Sequence, residues 1–338
     1  MITAMAIHKV GNKGQQEPLF ISEQLTANTE EQNTVLEGFF LSAFQHDEFF
    51  SFHHEAGLQL HEVYQFTREI FQDPEQLLPQ SVHLAKHLYH KSMHPQIKGG
   101  EFYVAHFQNL LLQGVAVNAL GLFKTEHKDL FLKVEAKESI IDVHTEEGIA
   151  LNKLDKACLI YQLNEEEGYK IAVVDKTNKS KEAQYWIDDF LQLRQIADDY
   201  FHTENTLAMC KQFIVKQLPE DFEVSKADQA DYLNRSLLFF KDRTEFQLQD
   251  FSEEVLRQPE VIERFQSYRN SYGEERDMQF SDEFSIAEQA VKRQSRSYKS
   301  VIKLDKNFHI YVHGDRNLIE QGEDDQGKFY KIYFREEL

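Results

Sequence analysis

The sequence predicts an α+β protein, with an N-terminal mixed domain holding a mostly antiparallel sheet, a helical middle and a small C-terminal β-meander. Three observations carry this. Apolar residues recur at helical spacing up to about residue 94, then collect into short Val-, Leu-, Ile- and Phe-rich runs between 101 and 174. Helical spacing returns from Lys181 to about Ser297, and apolar and polar residues alternate again after Val301. With 338 residues the chain exceeds one average domain. The expected divisions are 1–180, 181–297 and 298–338.

Element by element, Ala4 to Val10 reads as a first strand, closed by Gly11-Asn12-Lys13-Gly14. Thr29 to Phe44 carries Val35, Phe39, Phe40 and Phe44 at helical spacing. Leu58 to Phe71 and Glu75 to His94 read as helices, the second opening after Asp73-Pro74, where proline suits a first turn. Expected strands are Glu101 to Phe107, Leu110 to Phe123, Leu130 to Val134, Ala157 to Leu163 and Tyr169 to Val174. Leu110 to Phe123 is the most apolar stretch, but Gln113, Gly114 and Asn118 interrupt it. It falls short of the roughly 20 residues a membrane helix needs and reads as one buried strand. Expected helices follow at Glu182–Leu193, Thr206–Gln217, Lys226–Lys241, Phe246–Arg257, Pro259–Tyr272 and Phe284–Gln294. Ser225, with Asp228 three residues on, starts the third of these. Val301–Leu304, Phe308–Val312 and Phe329–Phe334 complete the chain as strands.

Composition bounds the function. Apolar residues make up 41% and aromatics 12%, enough for a core. The net charge of −20 repels DNA, RNA and anionic membranes, so any phosphate contact must come from a local basic patch. Cys158 and Cys210 form no CxxC pair, which fits a reduced compartment. Met1 to Gly14 has no basic leader followed by an apolar core, so no signal peptide is expected, and the chain is expected in the cytoplasm without a membrane.

Signatures of chemistry are missing. There is no GxxxxGK followed by Ser or Thr, no GxGxxG after a strand, no GxSxG and no HExxH; His61-Glu62 starts the last, but Gln65 breaks it. Neighbouring carboxylates such as Asp188-Asp189 and Glu253-Glu254 point about 100° apart on a helix and share no site. No catalytic residue, no metal ligand set and no cofactor is expected. His83, His87, His90 and His94 fall within a helical sector of about 60°. That stripe reads as a polar face toward solvent or a partner, with a metal site or a pH-responsive surface as alternatives.

Charge placement gives the sharper signal. Between Val291 and Arg316 stand Lys292, Arg293, Arg296, Lys299, Lys303, Lys306 and Arg316 against Asp305 and Asp315, a net of +5. Tyr298, Phe308, His309 and Tyr311 lie among them, and basic residues with interleaved aromatics can hold phosphates and stack on bases. Lys86, Lys91 and Lys98 form a weaker patch. Glu220 to Glu288 carries 18 acidic and 8 basic residues, a net of −10, which suits solvated helix faces or a docking surface for a basic protein.

Several segments together resemble the 37-kDa nucleoid-associated protein family of bacteria. They are Ile7-His8-Lys9-Val10, Gly99-Gly100-Glu101-Phe102 with Val104 and His106, Tyr185 to Phe201 with Phe190-Leu191, and Lys299 to Val312. Their order and spacing match over nearly the whole chain. The resemblance implies a cytoplasmic, nucleoid-associated protein with no defined reaction or catalytic residue. The expected function is therefore non-enzymatic, with DNA bound through Lys292 to Arg316. The alternative is a protein-interaction module that reaches the nucleoid through a partner docked on its acidic helices. Exposed apolar helix faces in the middle would suit self-association into a homodimer.

Overall fold

The computed structural model describes residues 1–44, 48–137, 140–175, 185–298, 301–304, 307–312 and 316–336. Two compact units divide the chain, Met1–Ile196 and Ala197–Leu338.

The first unit is built on an eight-stranded antiparallel sheet. Its strands are β1 (Ile2–Val10), β2 (Leu19–Phe20), β3 (Phe50–Phe52), β4 (Gly100–Leu112), β5 (Val115–Thr125), β8 (Lys156–Tyr161), β9 (Lys170–Asp175) and β10 (Leu193–Gln195), in the order β10-β3-β9-β8-β5-β4-β1-β2. Period-two alternation sends successive side chains to opposite faces, and both faces are covered. On one face Phe102, Val104, Leu120, Leu122 and Ile160 pack under α2 (Glu62–Gln72) and α3 (Leu77–Lys91). On the other, Tyr103, Ala105, Phe107 and Phe123 pack under α1 (Glu30–Leu41), where Phe40 stacks on Phe123 at 4.0 Å. Thr29 starts α1 with a complete capping box to Gln32. A Cβ on Gly100 would lie 1.8 Å from the Thr125 carbonyl, so the strand pair β4–β5 closes only over glycine.

Two expectations fail in this unit. Leu110 to Phe123 is not one strand. The chain reverses at Gln113 (φ 50°) and Gly114 (φ 84°), and Leu112 pairs with Val115. Positive φ at both central residues is the signature of a tight hairpin whose twist matches its strands. The expected helix Glu182–Leu193 begins outside the described residues. From Tyr185 onward it is a short run of turns that leads into β10. Trp186, Phe190 and Leu191 mimic helical spacing, but all three are buried in the core above the sheet. Gln192 (φ 47°) then turns the chain to pair with β3. Between β5 and β8 the chain makes a separate two-stranded ribbon, β6 (Asp129–Lys137) with β7 (Ile140–Gly148).

The second unit is helical. Its main helices are α4 (Asp199–Gln212), α6 (Lys226–Asp242), α8 (Pro259–Arg276) and α9 (Glu288–Ser295). The short helices α5 (Leu218–Asp221) and α7 (Leu248–Phe251) adjoin π-type turns at Phe213–Gln217 and Ser252–Leu256. The expected helices at Phe246 and Phe284 both start later than the sequence predicts. Phe246 sits on β11 (Glu245–Gln247) directly opposite Phe284 on β12 (Glu283–Ser285), with rings 4.6 Å apart. A lone buried Phe between polar residues is a short-strand pattern, and pairing satisfies the backbone that burial would otherwise orphan. The C-terminal segments are two hairpins, β13 (Val301–Leu304) with β14 (Phe308–Tyr311), and β15 (Ile319–Asp324) with β16 (Gly327–Ile332). Ile302, Val312 and Ile319 pack on Ala227 and Ala230 of α6.

Candidate nucleic-acid interface and buried charge network

The basic stretch starts at the C-terminal end of α9, where the helix dipole favours cations. Lys292 and Arg293 stand in its last turn and Arg296 caps it. Lys292 is exposed and pairs with Glu288 at 2.6 Å. Arg293 reaches α4, donating to the Tyr200 hydroxyl at 3.0 Å and pairing with Glu204 at 3.4 Å. Arg296 and the exposed Lys303 on β13 have no ion pair among the described residues. Lys299 and Lys306 lie outside the described residues. Arg316 donates to Asp228 at 2.7 Å and to the Ile319 carbonyl. Asp228 already closes the Ser225 capping box of α6. Arg316 therefore clamps the C-terminal hairpins onto α6. These contacts, with Ser225, hold the Asp228 carboxyl below the usual range against the opposing effect of burial.

The aromatics separate into two kinds. Tyr298 is buried, its hydroxyl donating to the Leu207 carbonyl, so it belongs to the core and is no base-stacking surface. Phe308 and Tyr311 are 65% and 63% exposed. His309 is exposed opposite Lys303.

The histidine stripe does not face solvent as a unit. His87 is buried, pairs with Glu62 at 2.9 Å and lies against the Phe190 ring. Burial lowers its pKa, with Glu62 acting the other way. His83 stacks on Phe66, and His90 Nδ1 accepts from Lys13 Nζ at 2.7 Å. His94 Nδ1 accepts the Gln96 backbone N–H at 3.3 Å, so the four rings serve separate partners. Among the described residues no group of three His, Cys, Asp or Glu side chains is placed to hold a metal.

Sequence reasoning missed a buried charge network at the β5–β8 end of the sheet. Lys124 Nζ, fully buried, donates to the Lys98 carbonyl (2.6 Å), Glu126 (3.0 Å) and the Tyr185 hydroxyl (3.0 Å). Tyr185 donates to Glu126 at 3.0 Å. Lys156, also fully buried, pairs with Asp175 at 2.9 Å and lies over the Tyr185 ring. Buried Asp155 accepts from the His127 ring at 2.7 Å and from the backbone N–H of Glu126 and His127. Lys98 Nζ donates to the other His127 nitrogen at 2.9 Å. Burial lowers the Lys124 pKa against the pull of Glu126 and raises that of Tyr185 well above its ordinary value. The signal was present as Lys124-Thr125-Glu126-His127 and Asp155-Lys156, but the alternation of strands gives no warning that a lysine points inward. Glu126 also borders a cleft of about 860 Å³ with Lys9, Glu17, Gln96 and Lys98. The network's members partner one another, which makes it a brace for this corner of the sheet.

The two units hold separate hydrophobic cores, which makes this a two-unit α+β protein. The chain belongs to the nucleoid-associated protein YejK family, whose profile matches residues 6–328. That membership makes it a nucleoid-associated protein of the bacterial cytoplasm. No curated protein matches the chain. Among the described residues no helix is long and apolar enough to cross a membrane.

Proposed function

We propose that the protein is non-enzymatic and contacts DNA directly through the cationic end of α9 and the strands that follow it. The observation that carries this reading is charge placement: a net of +5 between Val291 and Arg316 in a chain of −20. In this reading Lys292, Arg296, Lys299, Lys303 and Lys306 of the basic stretch supply the phosphate contacts, and the exposed rings of Phe308 and Tyr311 are available for stacking. Arg293 and Arg316 position this segment through Glu204 and Asp228. Family membership supports the nucleoid as the place of action.

The test is binding to a labelled duplex above about 0.1 M salt, comparing wild type with K292E/R296E/K299E. Direct contact predicts a log–log salt slope near −0.9 per phosphate in wild type and a shallower slope with weaker binding in the variant. Identical slopes would remove the patch. A second reading, docking of a basic partner protein on Glu220 to Glu288, rests on the net of −10 there. Partners recovered on the protein after nuclease treatment would favour it.

A further inference from the structure

The hairpin β13–β14 has an inner and an outer face, and its register assigns them. Leu304 pairs with Phe308, Lys303 with His309, Ile302 with Ile310 and Val301 with Tyr311. Side chains alternate along a strand, so Ile302, Leu304, Phe308 and Ile310 share one face, and Val301, Lys303, His309 and Tyr311 share the other. The first face is the inner one. Ile302 is fully buried, and Leu304 and Ile310 pack with it against Ala227 and Ala230 of α6. The second face therefore points outward. Lys303, His309 and Tyr311 are exposed on it, Tyr311 by 63%. None of the three has a hydrogen bond, ion pair or ring contact among the described residues. The four described positions of this face include no carboxylate, in a chain of −20.

We propose that this outer face is a stacking platform for two neighbouring unpaired bases, so that the protein takes single-stranded DNA in preference to closed duplex. The inference rests on the DNA contact proposed above and names the form of DNA. Spacing carries it first. His309 and Tyr311 stand two residues apart on one strand face, so their rings rise about 6.8 Å from each other. Bases in a duplex strand sit about 3.4 Å apart and cover one another's faces. The ring spacing is twice that rise, so only a strand free to unstack can lay one base on each ring. Charge comes second. Lys303 lies directly across from His309, about 4.5–5.5 Å away between backbones, and sets an ammonium beside the rings to meet the phosphates of a strand so held. Exposure comes third. A ring kept in water without a partner gives up apolar area on meeting a base, and no internal contact has to break first. Phe308 belongs to the inner face and lies outside this row. Stacking uses the face that every base has, so the preference is for strand state and not for sequence.

Fluorescence anisotropy of the full chain at about 0.1 M salt tests this. The probes are labelled oligo-thymidylate of roughly 16 nucleotides and a blunt duplex of the same length. Charge alone favours the duplex, whose phosphates are denser, so a preference for the strand reads stacking. Wild type should bind the strand at least about tenfold more tightly than the duplex. H309A/Y311A should lose most of that preference while binding duplex as wild type does. Its circular dichroism spectrum should be unchanged, since neither ring packs on the core. H309F/Y311F should keep the preference, because the ring faces remain. A wild type that binds duplex as tightly as strand would overturn the platform and leave direct DNA contact standing. Binding to neither probe would remove both readings. A preference that survives H309A/Y311A, or is lost in H309F/Y311F, would place the unpaired bases elsewhere and overturn the proposal too.

Discussion

Single residues carry two sharp consequences of burial. His61 caps α2, its Nδ1 accepting the Tyr64 N–H at 3.1 Å while the other ring nitrogen donates to the Leu191 carbonyl at 3.1 Å. Both nitrogens are committed to the neutral ring, and desolvation lowers its pKa from 6.5 to about 4. The unfolded chain thus takes up the proton first as pH falls. The stabilisation is full above pH 6.5 and declines down to about pH 4, by roughly 3 kcal/mol. Urea denaturation at several pH values should show this decline, and H61Q should flatten it. His8, His87, His106 and His202 are also lowered, so the difference between wild type and H61Q isolates the His61 share. Lys124 makes the second case. K124M leaves Glu126 buried without its cation and should cost about 3–5 kcal/mol. K124M/E126Q should recover part of that loss, since no orphaned charge remains. A loss below about 1 kcal/mol for the single variant would mean that water already reaches the network.

At the scale of elements, turns and caps decide what the sequence discloses. Helices α1 and α6 are legible because Thr29–Gln32 and Ser225–Asp228 write their starts into the sequence. The β4–β5 hairpin is not, because Gln113-Gly114 is a poor cue for a turn that needs two positive φ angles. Asn tolerates that region better than Gln, so Q113N should stabilise by about 0.5 kcal/mol. In contrast G114A should destabilise by about 1 kcal/mol through its φ alone, since nothing lies within 4 Å of an added Cβ. Thermal unfolding of the pair reads both signs. Strands β7 and β15 escape the sequence reading because acidic residues dilute their alternation. The stretch before β10 misleads it because Trp186 and Phe190 stand four apart in a turn. The basic stretch was legible as charge, but the packing of its members was not. Only packing shows that Arg316 is spent on Asp228 and that Tyr298 is core. Likewise a helical wheel groups His83, His87, His90 and His94 without knowing that Glu62 of the preceding helix, α2, pairs with His87.

The whole molecule sets the terms on which a small cationic patch can work. A chain of −20 carries a repulsive field for any polyanion, and its reach depends on salt. At about 0.01 M the screening length is about 30 Å, so a duplex approaching the α9 end feels the acidic surface around it as well as the patch. At about 0.15 M the length is about 8 Å, and the local cations dominate. Counterion release then weakens binding steadily as salt rises further. The two effects oppose each other, so duplex affinity should rise from 0.01 M to near 0.1 M salt and fall beyond it. Fluorescence anisotropy across that range would show the maximum. K292E/R296E/K299E should lower the whole curve, whereas removing acidic charge from the Glu220 to Glu288 segment should raise its low-salt limb. A curve that falls from the lowest salt upward would mean that the acidic surface lies too far from the bound duplex to matter, and that the patch acts alone.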